Sequence, residues 1–336
     1  MKKKHLSVLL LVLVSLLVTY FSLKDNFFEI TKSIMSINLG WFFVAILLVF
    51  AYWCMRTLAI RSIMSTTDWD LPFSKLFRIV ILGQFFSAVT PYQTGGQPLM
   101  VYYLRKEGIA GSKSSSVLVQ EFIVFQLSLV LLGGLAVLLN YTFNIFAKVE
   151  LLRKVVFLGF LFNMGIAITF MFLIFGRHAK KTIVRFFVKI LGKIKVIKEK
   201  EKIVDRIDAM LDNFSISAST VFKNRNAIFK SFFYDISSLL LYFLIPLFVL
   251  FSFKEYTSMN VLAIMVGASY VMIVGSCMPT PGGAGGIEYA FVKFFGVYIL
   301  GSNLVGTMLI WRFITFYFAL IVGALLISFY RKGKKS

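Results

Sequence analysis

Thr90-Pro91-Tyr92-Gln93-Thr94-Gly95-Gly96 and Thr280-Pro281-Gly282-Gly283-Ala284-Gly285-Gly286 are two copies of one pattern, 190 residues apart in a chain of 336. Each interrupts a run of apolar residues. Proline removes a backbone donor and glycine removes the side chain, so a helix breaks at either copy. In hydrocarbon the freed N–H and C=O groups have no water to bond, and such a break persists only where it faces protein or a wet cavity. Glycine also admits a polar group to the main chain, and a helix N-terminus favours an anion. One reading therefore makes Gln93, Gly95, Gly96, Gly285 and Gly286 part of a cavity for an anionic ligand. The other makes the glycines close-packing positions between helices. Neither copy is a nucleotide loop, because Gly-Gly-Ala-Gly-Gly lacks the Gly-Lys-Ser/Thr that cradles phosphates.

Four charges fall deep within apolar stretches: Glu121, Glu288, Lys293 and Arg312. An unpaired charge at the centre of a bilayer costs about 3 kcal/mol or more, which makes each a candidate for a site. Arg312 is placed about 14 Å into the last apolar span, at 1.5 Å per residue. Glu288 directly follows the second break and belongs at a similar depth, so an ion pair between them is expected. Glu288 also suits the first turn of a helix, where the dipole favours an acid. Glu121, flanked by Gln120 and Gln126, either exchanges protons or pairs with a neighbouring arginine. Asp235 lies nearer a span end and is expected at the interface.

The elements that must position these groups are membrane helices. Hydrophobic residues make up 59% of the chain, 38 of its residues are Phe and only 15% are charged. A soluble domain carries nearer a quarter charged residues. Six stretches are long enough to cross the roughly 30 Å of hydrocarbon: about 5–22, 39–60, 114–140, 155–175, 231–252 and 303–330. The first begins with Lys2 to Lys4 and has no small-residue cleavage site after it, so it is read as an uncleaved span. Two stretches remain, 72–107 and 259–300, each with one break at its centre. Their second arms are short; about ten residues, from Pro98 to Glu107, reach only about 15 Å. Pro98 is expected at the first helical position after the break. The expected fold is an all-α polytopic bundle of about six full spans with two re-entrant hairpins of opposite orientation, an inverted-repeat-like plan. Eight or more full spans is the alternative.

The net charge of +21 follows the same topology. Seven cations lie at the termini, and residues 176–230 carry 14 Lys or Arg against five Asp or Glu. Segments 23–38, 141–154 and 253–258 carry almost none of the excess. The positive-inside rule then places both termini and segment 176–230 in the cytoplasm of a cell-membrane protein. Residues 183–207 interleave apolar and basic residues, as a basic amphipathic helix on an anionic leaflet does; a topology-setting loop is the plainer reading. With the positive charge tied to membrane spans, nucleic acid is not an expected partner. Cys54, Cys277, His5 and His178 build neither a disulfide framework nor a metal site. No cofactor is expected. The chain reads as a single integral membrane domain, 1–336.

Met278 to Glu288, followed by Trp311-Arg312-Phe313, resembles the lysylphosphatidylglycerol synthase transmembrane region, also called the flippase-like family. Gly95-Gly96, Tyr102-Tyr103-Leu104-Arg105 and Glu121 fit the same pattern. Members often carry a basic residue after the matching Glu, where this chain has Phe122. The resemblance implies a multi-span protein that moves lipids or lipid-linked precursors between leaflets, with membrane lipids as partners. The full synthases also carry a large soluble C-terminal domain that transfers lysine from tRNA to phosphatidylglycerol. Only six residues follow Tyr330 here, so that chemistry is expected elsewhere, in a separate soluble partner enzyme if at all. The expected function is translocation of an anionic phospholipid or lipid-linked substrate through Gln93, Gly95, Gly96, Glu121, Gly285, Gly286, Glu288 and Arg312. A membrane component of aminoacyl-phospholipid synthesis, a membrane scaffold and a homo-oligomer stay open. No ATP-binding motif is present, which leaves proton-coupled and downhill movement as the sources of drive.

Overall fold

The computed structural model describes residues 27–67, 69–175, 224–256 and 260–332, and every regular element among them is helical. In chain order these are α1 (Phe27–Met35), α2 (Leu39–Met64), α3 (Phe73–Ala88), α4 (Gly96–Lys106), α5 (Gly111–Phe143), α6 (Glu150–Phe175), α7 (Arg225–Ser252), α8 (Val261–Ser276), α9 (Gly286–Phe295), α10 (Gly301–Arg312) and α11 (Phe318–Lys332). A π-helical turn, Phe313–Tyr317, joins α10 to α11 without a break. Among the described residues five helices are long and apolar enough to cross a membrane: α2, α5, α6, α7 and the continuous α10–α11. They match five of the six expected spans. The expected span at 5–22 lies outside the described residues, as does most of the basic segment 176–230; from Arg225 onward that segment is already the start of α7. Helix α1 falls in a segment read as a loop and packs on α10, where the Ser33 hydroxyl donates to Asn303 at 2.8 Å.

Polar residues set the helix starts. Asn38, Asn224 and Asn260 each accept a backbone N–H in the first turn of α2, α7 and α8. Side-chain capping of this kind satisfies donors that the helix leaves unpaired. The bundle centres on α2 and α7. The Asn38 N–H donates to the Ser252 carbonyl at 2.7 Å, so the start of α2 meets the end of α7 and the two run antiparallel. Trp41 packs on Phe248 and Phe251 at one end of this pair, and Arg56 meets Asp235 towards the other.

That pairing fixes the hairpins. The first, α3 and α4, leaves from the face where α2 ends at Met64 and returns to it to start α5; Lys75 and Glu107 clasp its base at 2.8 Å. The second, α8 and α9, leaves from the opposite face, where α7 ends at Ser252, and returns there to start α10. Arms of 16 and 11 residues, and of 16 and 10, are too short to cross. Their tips, the 3-10 turns Pro91–Gln93 and Pro281–Gly283, pack against each other. Among the described residues the opposed-hairpin expectation is met, and neither stretch supplies the two full spans of the eight-span alternative. Helices α5 and α6 present Leu131, Leu135, Leu138 and Leu158 outward, the apolar surface that a bilayer requires.

Candidate functional site

Both tips fold alike although their sequences differ. Thr90 and Thr280 are extended, the prolines that follow start a 3-10 turn, and the next two residues turn left-handed. In the second tip these are Gly282 (φ 57°) and Gly283 (φ 69°); in the first they are Tyr92 (φ 50°) and Gln93 (φ 56°). Left-handed backbone costs a residue with a Cβ about 1–2 kcal/mol. Tyr92 and Gln93 hold that conformation at a site wall, where such strain concentrates.

Around the tips lies a cavity of about 640 Å³ whose only charged wall residues, among the described residues, are Arg56 and Arg312. Most of its wall is apolar and aromatic. Polar side chains reach it from several elements, among them Gln84, Gln93, Gln97, Gln126 and Asn163. Gln126 donates to the Asn163 side chain at 2.8 Å, and Asn163 donates in turn to Ser276 at 2.8 Å, which ties α5, α6 and α8 together at the wall.

Arg312 closes α10, and the π turn begins at the next residue. Such bulges aim a side chain out of register and are frequent at functional sites. Its Nε donates to Glu288 Oε1 at 2.6 Å and its Nη2 to the Gly282 carbonyl at 3.2 Å, while the guanidinium lies 4.5 Å from the centroid of the Phe316 ring. Glu288 Oε2 accepts the Gly285 N–H at 2.7 Å, capping α9. The two roles read for Glu288 therefore coexist, one on each carboxylate oxygen.

Arg56 is matched differently. Its Nη1 lies 2.6 Å from Glu121 Oε1 and 2.6 Å from Asp235 Oδ1, and neither carboxylate is exposed. Its guanidinium also lies 4.0 Å from the centroid of the Phe125 ring. Glu121 is thus paired with an arginine, one of the two roles read for it. Asp235 is not at the interface: the antiparallel register of α2 and α7 carries it to a buried position opposite Arg56. Arg56 is not among the charges singled out from the sequence, although it lies within the expected span 39–60. Its neighbours on α5 and α7 hold it in.

Of the residues singled out from the sequence, Gln93, Gly96 and Arg312 line the cavity. Glu121 and Glu288 stand one side chain behind it, each on an arginine of the wall. Gly95, Gly285 and Gly286 are not in the wall. Gly96 brings α4 onto Ser87 and the Gly83 carbonyl, Gly95 packs on Thr90, and Gly286 packs on Met278, with no room for a Cβ in any of them. Gly285 needs its φ of 87°. These glycines shape the tips. Pro98 is the third residue of α4 and not the first, and its missing N–H is still among those a helix start leaves unpaired. Lys293 is exposed, 5.6 Å from the Tyr289 ring, and takes no part in the cavity. No group of three or more His, Cys, Asp or Glu that would hold a metal occurs among the described residues.

The chain is 22% identical over 332 residues to a UPF0104 membrane protein of Archaeoglobus fulgidus, a match that covers 95% of each chain. Residues 7–323 match the family described as the lysylphosphatidylglycerol synthase TM region, in agreement with the resemblance carried by the second break, Glu288 and Arg312. The chain belongs to that membrane-protein family.

Proposed function

We propose that this protein moves an anionic phospholipid or lipid-linked substrate between the leaflets of a cell membrane, with both termini on the cytoplasmic side. The observation that carries the reading is the cavity where two helix breaks from opposite faces meet, walled by two arginines. A volume near 640 Å³ lies in the range of small-ligand sites and suits a headgroup with its glycerol, without the acyl chains. The apolar wall from α5 and α6, with Phe122, Phe162, Ile166 and Phe170, offers the chains a continuous surface. Arg312 holds the phosphate in this reading, and Glu288 returns to Arg312 when the phosphate leaves. Opposed, broken hairpins at mid-depth are what alternating exposure to the two faces needs.

The test is a fluorescent-lipid leaflet assay in proteoliposomes with labelled phosphatidylglycerol, comparing the unchanged chain with Arg312→Ala and Glu288→Gln. Loss of movement in variants that elute as folded protein supports the assignment. Unchanged movement by a folded Arg312→Ala variant removes it.

A further inference from the structure

Among the described residues the charges around the cavity do not balance, and the proposed function does not explain why. Two arginines, Arg56 and Arg312, face three carboxylates, Glu121, Asp235 and Glu288. Arg312 and Glu288 balance. Arg56, Glu121 and Asp235 do not: with every group ionised the cluster carries one net negative charge. Neither Glu121 nor Asp235 is solvent-exposed, and an uncompensated charge so buried is strongly unfavourable.

Among the described residues, the groups that face the cluster supply no second cation. From α2 come Arg56 and Tyr52, from α3 Gln84, from α4 Gln97, from α5 Glu121 and from α7 Asp235. Asp235 Oδ2 is buried and accepts no hydrogen bond, as is the amide oxygen of Gln97, which stands beside Glu121. A carboxylic acid in place of one carboxylate removes the surplus charge and supplies a donor where acceptors go unpaired. Gln97 also lines the cavity, one residue after Gly96, so the cluster is one side chain from it.

The same count bears on the substrate. An anion that enters the cavity meets two arginines already neutralised, so a second positive charge must come with it. We propose that Glu121 and Asp235 hold one exchangeable proton between them at rest and take up a second when the anionic headgroup, on its way to or from Arg312, docks on Arg56, so that one proton moves with each headgroup charge. The docking anion replaces one carboxylate at Arg56 Nη1. The displaced carboxylate takes its proton from the water on the side to which the cavity is open, and releases it when the anion leaves on the other side. No bond other than O–H forms or breaks, and the loaded and empty cavities carry the same charge. The resting proton stands on the cluster alone; its coupling to lipid movement rests on the proposed function.

Two measurements on the full-length chain separate these parts. Infrared spectra of the purified protein should show a carboxylic acid C=O stretch at neutral pH that shifts in heavy water and is lost in Glu121→Gln or Asp235→Asn. A neutral-pH spectrum of the unchanged protein without that band overturns the resting proton. In phosphatidylcholine vesicles with labelled phosphatidylglycerol, an imposed pH gradient should shift the leaflet distribution about tenfold per pH unit, the ratio that one coupled proton sets. A potassium–valinomycin potential should leave it unchanged. A distribution that follows the potential and ignores the pH gradient overturns the coupling while lipid movement stands. No movement under either gradient overturns both the coupling and the proposed function, and the infrared band then decides the proton alone.

Discussion

Replacing Arg56 by Met leaves two carboxylates converging on an empty position. Both lost contacts are 2.6 Å long and both acids are fully buried, so the penalty is that of an orphaned buried ion and exceeds the loss of two hydrogen bonds. Removing one partner from a buried ion pair destabilises by about 3–5 kcal/mol, whereas replacing all members by neutral groups of similar size is often close to neutral. The two cases give opposite signs for the next step. Arg56→Met should cost about 3–5 kcal/mol, and adding Glu121→Gln and Asp235→Asn to it should recover most of that loss. The coupling is non-additive because the three groups share one nitrogen. The assay is equilibrium unfolding in mixed detergent micelles for the single, double and triple variants, with retention on size exclusion as the check of folding. Should the triple variant be no more stable than Arg56→Met, the loss would come from packing around Phe125, and the electrostatic account would fail.

Gly282→Ala should destabilise by about 1–3 kcal/mol, since its φ is 57° and an added Cβ runs into the Phe316 ring; the pair with Phe316→Ala should recover the packing part and keep the conformational part, read by the same unfolding assay. Asn163→Ala should cost about 1–2 kcal/mol by removing its bonds to Gln126 and Ser276, and should raise hydrogen exchange in α6, which is only lightly buried elsewhere.

Proline and glycine made the hairpin tips legible in the sequence, because they interrupt apolar runs that otherwise read as spans. Glu288 and Arg312 were legible for a related reason: each can be placed by counting rise per residue from a break or a span end, and both counts give the same depth. The Arg56 cluster offers no such count. Arg56 sits eight residues before the end of α2 and Asp235 ten residues after the start of α7, so in sequence each looks like an interfacial charge. They meet only because Asn38 and Ser252 set α2 and α7 in antiparallel register, which puts Arg56 18 residues from one end of the pair and Asp235 17. A register between distant helices is a tertiary fact, carried by packing along both of them and by no single motif.

The two tips also show why a repeated motif need not repeat its chemistry. At the two left-handed positions the second tip has glycines, and the space they leave is taken by Phe316 at Gly282 and Ile287 at Gly283, while the bare Gly282 carbonyl accepts from Arg312. The first tip has Tyr92 and Gln93 in the same backbone, and both side chains line the cavity. A glycine at Gln93 would relax the strain of its φ, about 1 kcal/mol, yet the chain holds a side chain there. One tip thus contributes side chains to the wall and the other a main-chain acceptor and a seat for the arginine, so what the two halves share is the break and what the cavity uses is the difference between them.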